Sequence, residues 1–76
     1  MNAPNQLTLP QFIASAFRPS VAYNKKCGSY FVKHRWEEYC KTYAGTDEQF
    51  TEVLRQMGFQ VSKETGRMKL RYFGLQ

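Results

Sequence analysis

The residues best suited to chemistry are four cations near the end of the chain, Lys63, Arg67, Lys69 and Arg71. They surround the segment Glu64-Thr65-Gly66, whose glycine can take the positive φ of a tight turn. Arg67, Lys69 and Arg71 alternate with Met68, Leu70 and Tyr72. On a strand, side chains alternate between faces, so this order puts charge on one side and apolar groups on the other. A cationic face diluted only by Glu64 suits the phosphates of a nucleic acid, where Lys and Arg displace condensed counterions.

Other chemistries lack their parts. His34, the single histidine, lies between Lys33 and Arg35. No nucleophile or carboxylate partner is evident for it in the sequence. Glu37 and Glu38 are adjacent, and adjacent helical positions do not face each other. Glu37 stands four residues before Lys41, the favourable order for a surface pair. Cys27 and Cys40 with one histidine are too few soft ligands for zinc. Both are expected as thiols, Cys40 buried on a helical apolar face, with a Cys27–Cys40 disulfide as the alternative. There is no glycine-rich phosphate loop. The expectation is a binding protein and not an enzyme, with no cofactor and no metal.

The elements that must carry these residues follow from periodicity. Residues 1–6 are polar, contain Pro4 and read as a frayed end. Thr8-Leu9-Pro10-Gln11 fits a capping box, with Leu7 and Phe12 at the staple positions. A helix follows, with Leu9, Phe12, Ile13, Ala16 and Phe17 as its buried stripe, and Arg18-Pro19-Ser20 stops it. Residues 21–28 read as a loop carrying Lys25 and Lys26, either a solvated connection or a second phosphate contact. Ser29–Val32 is β-prone and could add a third strand. A second helix is expected from Lys33 to Ala44, with Trp36, Tyr39, Cys40 and Tyr43 inward and Gly45 as its end. Thr46 and Gln49 form a second capping box. The third helix that they open has Phe50, Val53, Leu54 and Met57 on one face and Gly58 after it. Two helices meeting at Gly45-Thr46 suggest a helix-turn-helix.

The chain has 76 residues and a formal net charge of +5. Such a length supports one small domain with limited burial; one tryptophan, five tyrosines and six phenylalanines supply large apolar area to offset this. Residues 46–59 carry a net −2, whereas residues 18–45 carry +4 and residues 60–76 carry +3. No apolar run is long enough to span a membrane, and no secretory leader is evident. Cytoplasm is the default compartment, with no membrane partner. The solvated surface of a soluble protein is the plainer reading of the same charge.

Three helices followed by a cationic hairpin compose an α+β domain of winged-helix type, spanning residues 1–76 with a two- or three-stranded sheet. Its expected core is Phe12, Ile13, Phe17, Trp36, Tyr39, Cys40, Phe50, Val53, Leu54, Met57, Val61, Leu70 and Tyr72. Residues 30–75 resemble the winged-helix domain that closes many phage- and plasmid-encoded primase-helicases of the poxvirus type, within the regulatory-factor-X-like winged helices. The resemblance rests on Val32-Lys33 leading into Trp36, Tyr39, Cys40 and Tyr43, then Gly45, Phe50, Leu54, Gly58-Phe59, Gly66-Arg67 and Tyr72-Phe73-Gly74-Leu75. The chain departs from that family in having no primase or ATPase portion. The resemblance implies a wing that can enter the major groove of duplex DNA, in phage or mobile-element replication or transcription regulation.

On this reading Lys63, Arg67, Lys69 and Arg71 hold phosphates or base edges, Arg55 and Thr51 face the groove, and Lys33 and Arg35 touch the flanking backbone. Glu48 and Glu52 point outward on the third helix with only Arg55 to compensate, and acid repels phosphate. The wing is therefore expected to carry more affinity than the helix. A protein-interaction module, such as a small phage-type inhibitor of a host protein, is the alternative, favoured by the acidic helix and by any exposed Tyr23, Tyr30 or Phe73.

Overall fold

The computed structural model describes residues 6–74. Residues 1–5 of the expected frayed end, and Leu75 of the terminal motif that carries the resemblance, lie outside the described residues. The order of elements is α1 (Leu9–Ala16), β1 (Phe17–Pro19), α2 (Ser29–Cys40), α3 (Asp47–Gln56) and β2 (Leu70–Tyr72). The described residues form a small α+β domain with three helices and a two-stranded antiparallel sheet.

Both capping boxes form. The Thr8 hydroxyl accepts the Gln11 N–H, and the Gln11 side chain accepts the Thr8 N–H in return. Thr46 and Gln49 do the same at α3, where Asp47 and Glu48 sit in the first turn, favoured by the helix dipole. After α3, Gly58 takes φ +98, as its position past the helix end requires.

The helix α1 ends one residue earlier than expected. Phe17, expected in the helical stripe, begins β1 instead, with φ −135 and ψ 152. It pairs with Tyr72, Arg18 with Arg71, and Pro19 with Leu70. The sheet partner of the C-terminal strand is thus β1. The expected hairpin arm contributes a single bridge, Val61 to Met68. Gly66 closes the turn with φ +72, and Ser62 donates its N–H to the Arg67 carbonyl at 2.8 Å.

Ser29–Val32 is not a third strand but the first turn of α2. The helical repeat extends backwards through Ser29 and Val32 to Trp36, and burial of Ser29 and Val32 against the core outweighs local β propensity. The same helix stops at Cys40, not Gly45. Lys41 takes the left-handed conformation, φ 59, and residues 41–46 form a longer connection than the expected turn. Glu37 explains this: its carboxylate accepts the Ala44 N–H at 2.9 Å and its carbonyl accepts the Thr42 N–H at 3.3 Å, folding the chain back over the helix end. The expected Glu37–Lys41 pair is replaced by Glu37–Lys33 at 2.9 Å.

The core gathers Phe12, Ile13, Ala16, Phe17, Cys27, Val32, Phe50, Leu54, Val61, Met68 and Leu70. Trp36, Tyr39, Met57 and Tyr72 pack on it only partly buried. Val53, expected inside, is 44% exposed. Cys27 is the more buried thiol, and Cys40, expected buried, is partly exposed; both are free. Phe12 holds the centre, with ring centroids of Trp36 and Tyr39 at 5.2 and 5.1 Å.

Candidate nucleic-acid interface

One residue fixes the loop between β1 and α2 onto β2. The Asn24 N–H donates to the Met68 carbonyl at 3.0 Å, and its side-chain amide donates to the Leu70 carbonyl. Its own carbonyl accepts the Cys27 N–H at 3.3 Å, closing a turn with Lys25 and Lys26 at the tip. Met68 then donates to the Cys27 carbonyl at 2.9 Å, Ser29 to Gly66 at 2.8 Å, and Gly28 bridges Arg67. The loop therefore continues the pairing begun by β1 along most of the C-terminal strand, and its cations join those of the hairpin.

The segments so joined carry Arg18, Lys25, Lys26, Arg67, Lys69 and Arg71, and the seventh cation, Lys63, lines the groove beside α3 with Asp47, Glu48 and Glu52. Residues 17–28 and 59–74, which supply all seven, contain one acid, Glu64. Among the described residues none of the seven cations has an ion-pair partner, because the five ion pairs all join residues of α2 and α3. Arg18 and Arg71 face each other across the sheet and are both exposed. Two of the cations rest on aromatic rings: Arg18 lies 5.0 Å from the Phe73 centroid and Lys69 lies 5.0 Å from that of Tyr23. Such contacts hold a long side chain near the surface while leaving its charge in place.

The expected helical contacts are placed differently. Lys33 is buried and its ammonium lies 2.9 Å from Glu37 and 3.5 Å from Asp47, with the Tyr43 ring 5.0 Å away. Its hydrogen bond to Glu37 raises its pKa; the Ala44 N–H first, and Lys33 second, lower that of Glu37. Lys33 thus closes α2 onto α3 and does not reach the cationic surface. Arg35 donates to the Tyr72 hydroxyl at 2.6 Å and to Glu38 at 3.1 Å, which fixes the Tyr72 ring. Thr51 donates its hydroxyl to Ser29 at 2.7 Å. Arg55 lies 3.8 Å from Glu52, and its Nε is buried with no partner among the described residues. Thr51 and Arg55 line a groove between α3 and the turn, and Asp47, Glu48 and Glu52 line it too. His34 is exposed and has a carboxylate neighbour that the sequence did not suggest, Glu38 at 3.5 Å.

A cavity of about 520 Å³ opens beside the cationic surface, between the Asn24–Cys27 turn and the side chains of Phe31, Arg71 and Tyr72. Burial pushes the Cys27 thiol at its edge up to about 11. Among the described residues no group of three or more His, Cys, Asp and Glu could hold a metal ion, and no helix is long and apolar enough to cross a membrane.

Sequence reading found the hairpin cations but not Arg18, and left Lys25 and Lys26 open. The only signal was the Asn24-Lys25-Lys26 run; what brings it to the hairpin is a pairing between distant segments. No protein-family model, curated protein or solved structure matches this chain.

Proposed function

We propose that the domain is a winged helix that binds duplex DNA through its sheet side. The order helix, strand, helix, helix, then a turn leading into a strand that pairs with the first, is the order such a domain would have. The observation that carries the reading is the segregation of charge. Four of the five acids of α2 and α3, Glu37, Glu38, Asp47 and Glu52, are engaged with cations of the same two helices, while Arg18, Lys25, Lys26, Arg67, Lys69 and Arg71, without ion pairs among the described residues, are carried by the paired β1–loop–β2 segments. Unpaired cations crowded on one face repel each other, and a polyanion relieves that repulsion. In the groove beside α3 three acids, Asp47, Glu48 and Glu52, outnumber Arg55 and Lys63, so α3 is the lesser contact. A role in phage or mobile-element replication or transcription regulation follows only from the resemblance and is proposed with it.

The test is anisotropy of a labelled duplex of random sequence at low and moderate salt. Binding should be micromolar, and with four to seven phosphate contacts log K should fall with log salt at a slope of roughly −4 to −6. The double variant K69A/R71A should weaken binding about tenfold or more, with R55A within about twofold of the parent. Equal losses for the two variants would overturn the assignment of the sheet side.

A second reading has its own observation. Tyr30, Tyr43 and Val53 are exposed by 58, 72 and 44%, and the groove beside α3 is acidic, which suits a protein partner with a basic edge. Binding to such a partner would persist in K69A/R71A.

A further inference from the structure

We propose that the cavity beside the cationic surface receives one unpaired base of a nucleic acid, so that the domain prefers duplex DNA with a single-stranded end. This rests on the duplex-binding reading and adds a site to it. At about 520 Å³ the cavity falls within the roughly 300–1,000 Å³ range of small-ligand sites. Two of its walls are aromatic: the rings of Phe31 and Tyr72 meet edge to face, centroids 5.1 Å apart and planes at 88°. Tyr72 is held in place from behind by Arg35, whose guanidinium donates to its hydroxyl at 2.6 Å. Lys25, Lys26 and Arg71 stand at the same cavity, and no acid lines it. Among the described residues these three cations have no ion pair. An apolar, aromatic-walled hollow with cations at its mouth matches a nucleotide, which carries a flat π-system on one side and a phosphate on the other. A paired base enters such a pocket only at an unstacking and unpairing cost of about a few kcal/mol, so the favoured occupant is a nucleotide already free of pairing.

The wall is also built to stay put. Asn24 fastens the Lys25-Lys26 turn to β2 at Met68 and Leu70. The cavity therefore exists before a ligand arrives, which lowers the cost of binding.

The experiment uses the full chain and three labelled duplexes of one sequence: blunt, with one unpaired adenosine at an end, and with one abasic nucleotide at that end. The phosphate count is equal in the last two, so their ratio isolates the base. The base-bearing end should bind roughly five- to fiftyfold more tightly than the abasic end, and this ratio should change little with salt. The variant F31L, checked for folding by circular dichroism, keeps an apolar wall without a ring and should bring the ratio close to one. Equal affinity for the two ends, with the blunt duplex still bound, overturns the pocket and leaves the duplex reading intact. No binding to any of the three overturns both.

Discussion

Arg18 and Arg71 are direct cross-strand partners in a two-stranded sheet, a place where like charges destabilise. Each strand has only three residues, so the sheet has little else to offset that repulsion. Stability and binding should therefore move in opposite directions at this pair. Replacing Arg71 by threonine should raise the unfolding free energy by about 0.5 kcal/mol while weakening duplex binding about fivefold. The gain should shrink at high salt, where the Debye length is about 3 Å. Denaturant titration and anisotropy on one preparation check both signs.

Asn24 holds two carbonyls of β2 and its flank with its backbone and side-chain amides. Asn24→Ala leaves the Leu70 carbonyl without its partner and should cost about 1–3 kcal/mol. Exchange of the Cys27 and Met68 amides with deuterium should accelerate before that of the α3 amides, because the turn is released while the helices remain capped.

Glu37 ties α2 to the connection that follows it at Ala44, and it holds Lys33, which in turn reaches Asp47 of α3. The pKa of Glu37 lies below the usual 4.5, owing to the Ala44 N–H and then to Lys33. The stabilisation is therefore fully present above the unfolded-state value and is lost as pH falls through the folded one. Glu37→Gln should lower the melting temperature at pH 7, and the gap to the parent should close on acidification below about pH 4. Lys33, whose pKa is raised, contributes in the opposite sense: its share is present below 10.5 and fades as pH rises through its folded value. A melting series from pH 3 to pH 7 reads the first.

Thr46 caps α3 with both halves of its box in place. Thr46→Ala should cost about 1 kcal/mol, or roughly 4–8 °C of melting temperature for a domain of this size. Since α3 is the lesser contact in the proposed complex, duplex affinity of the folded variant should stay within about twofold.

The two thiols should differ in reactivity. Cys27 is 1% exposed and raised to about 11, so at pH 8 it is neutral and shielded. Cys40 is also raised by burial but remains partly exposed. A disulfide reagent should titrate one thiol per chain in the native state and two in denaturant.

What could be read from the sequence was what depends on neighbours in the chain. Thr8 with Gln11 and Thr46 with Gln49 announce helix starts because their bonds close within four residues. Phe50 and Leu54 mark the buried face of α3, and Met68 and Leu70 that of the last strand, because each repeat is local. Phe17 shows the limit. An apolar residue after Ala16 continues a helical stripe equally well, and only Tyr72, far along the chain, makes it a strand. Ser29 misled for the opposite reason: a polar residue hid the helical repeat that runs through Val32. The candidate surface divides in the same way. The hairpin cations alternate visibly in sequence, whereas Arg18, Lys25 and Lys26 join them only through pairing with residues 66–72.

That pairing also decides what a shortened chain can do. Phe17, Arg18 and Pro19 have no sheet partner until Leu70, Arg71 and Tyr72 are present. A fragment that stops before Leu70 would retain every helix, yet would leave Phe17–Pro19 without a sheet partner and the Asn24 side chain without the Leu70 carbonyl. Such a pairing is slow to find, because the intervening chain must first be gathered in at an entropic cost. The helices are thus free to assemble early, and the latch that completes the molecule is the same strip that carries its charge.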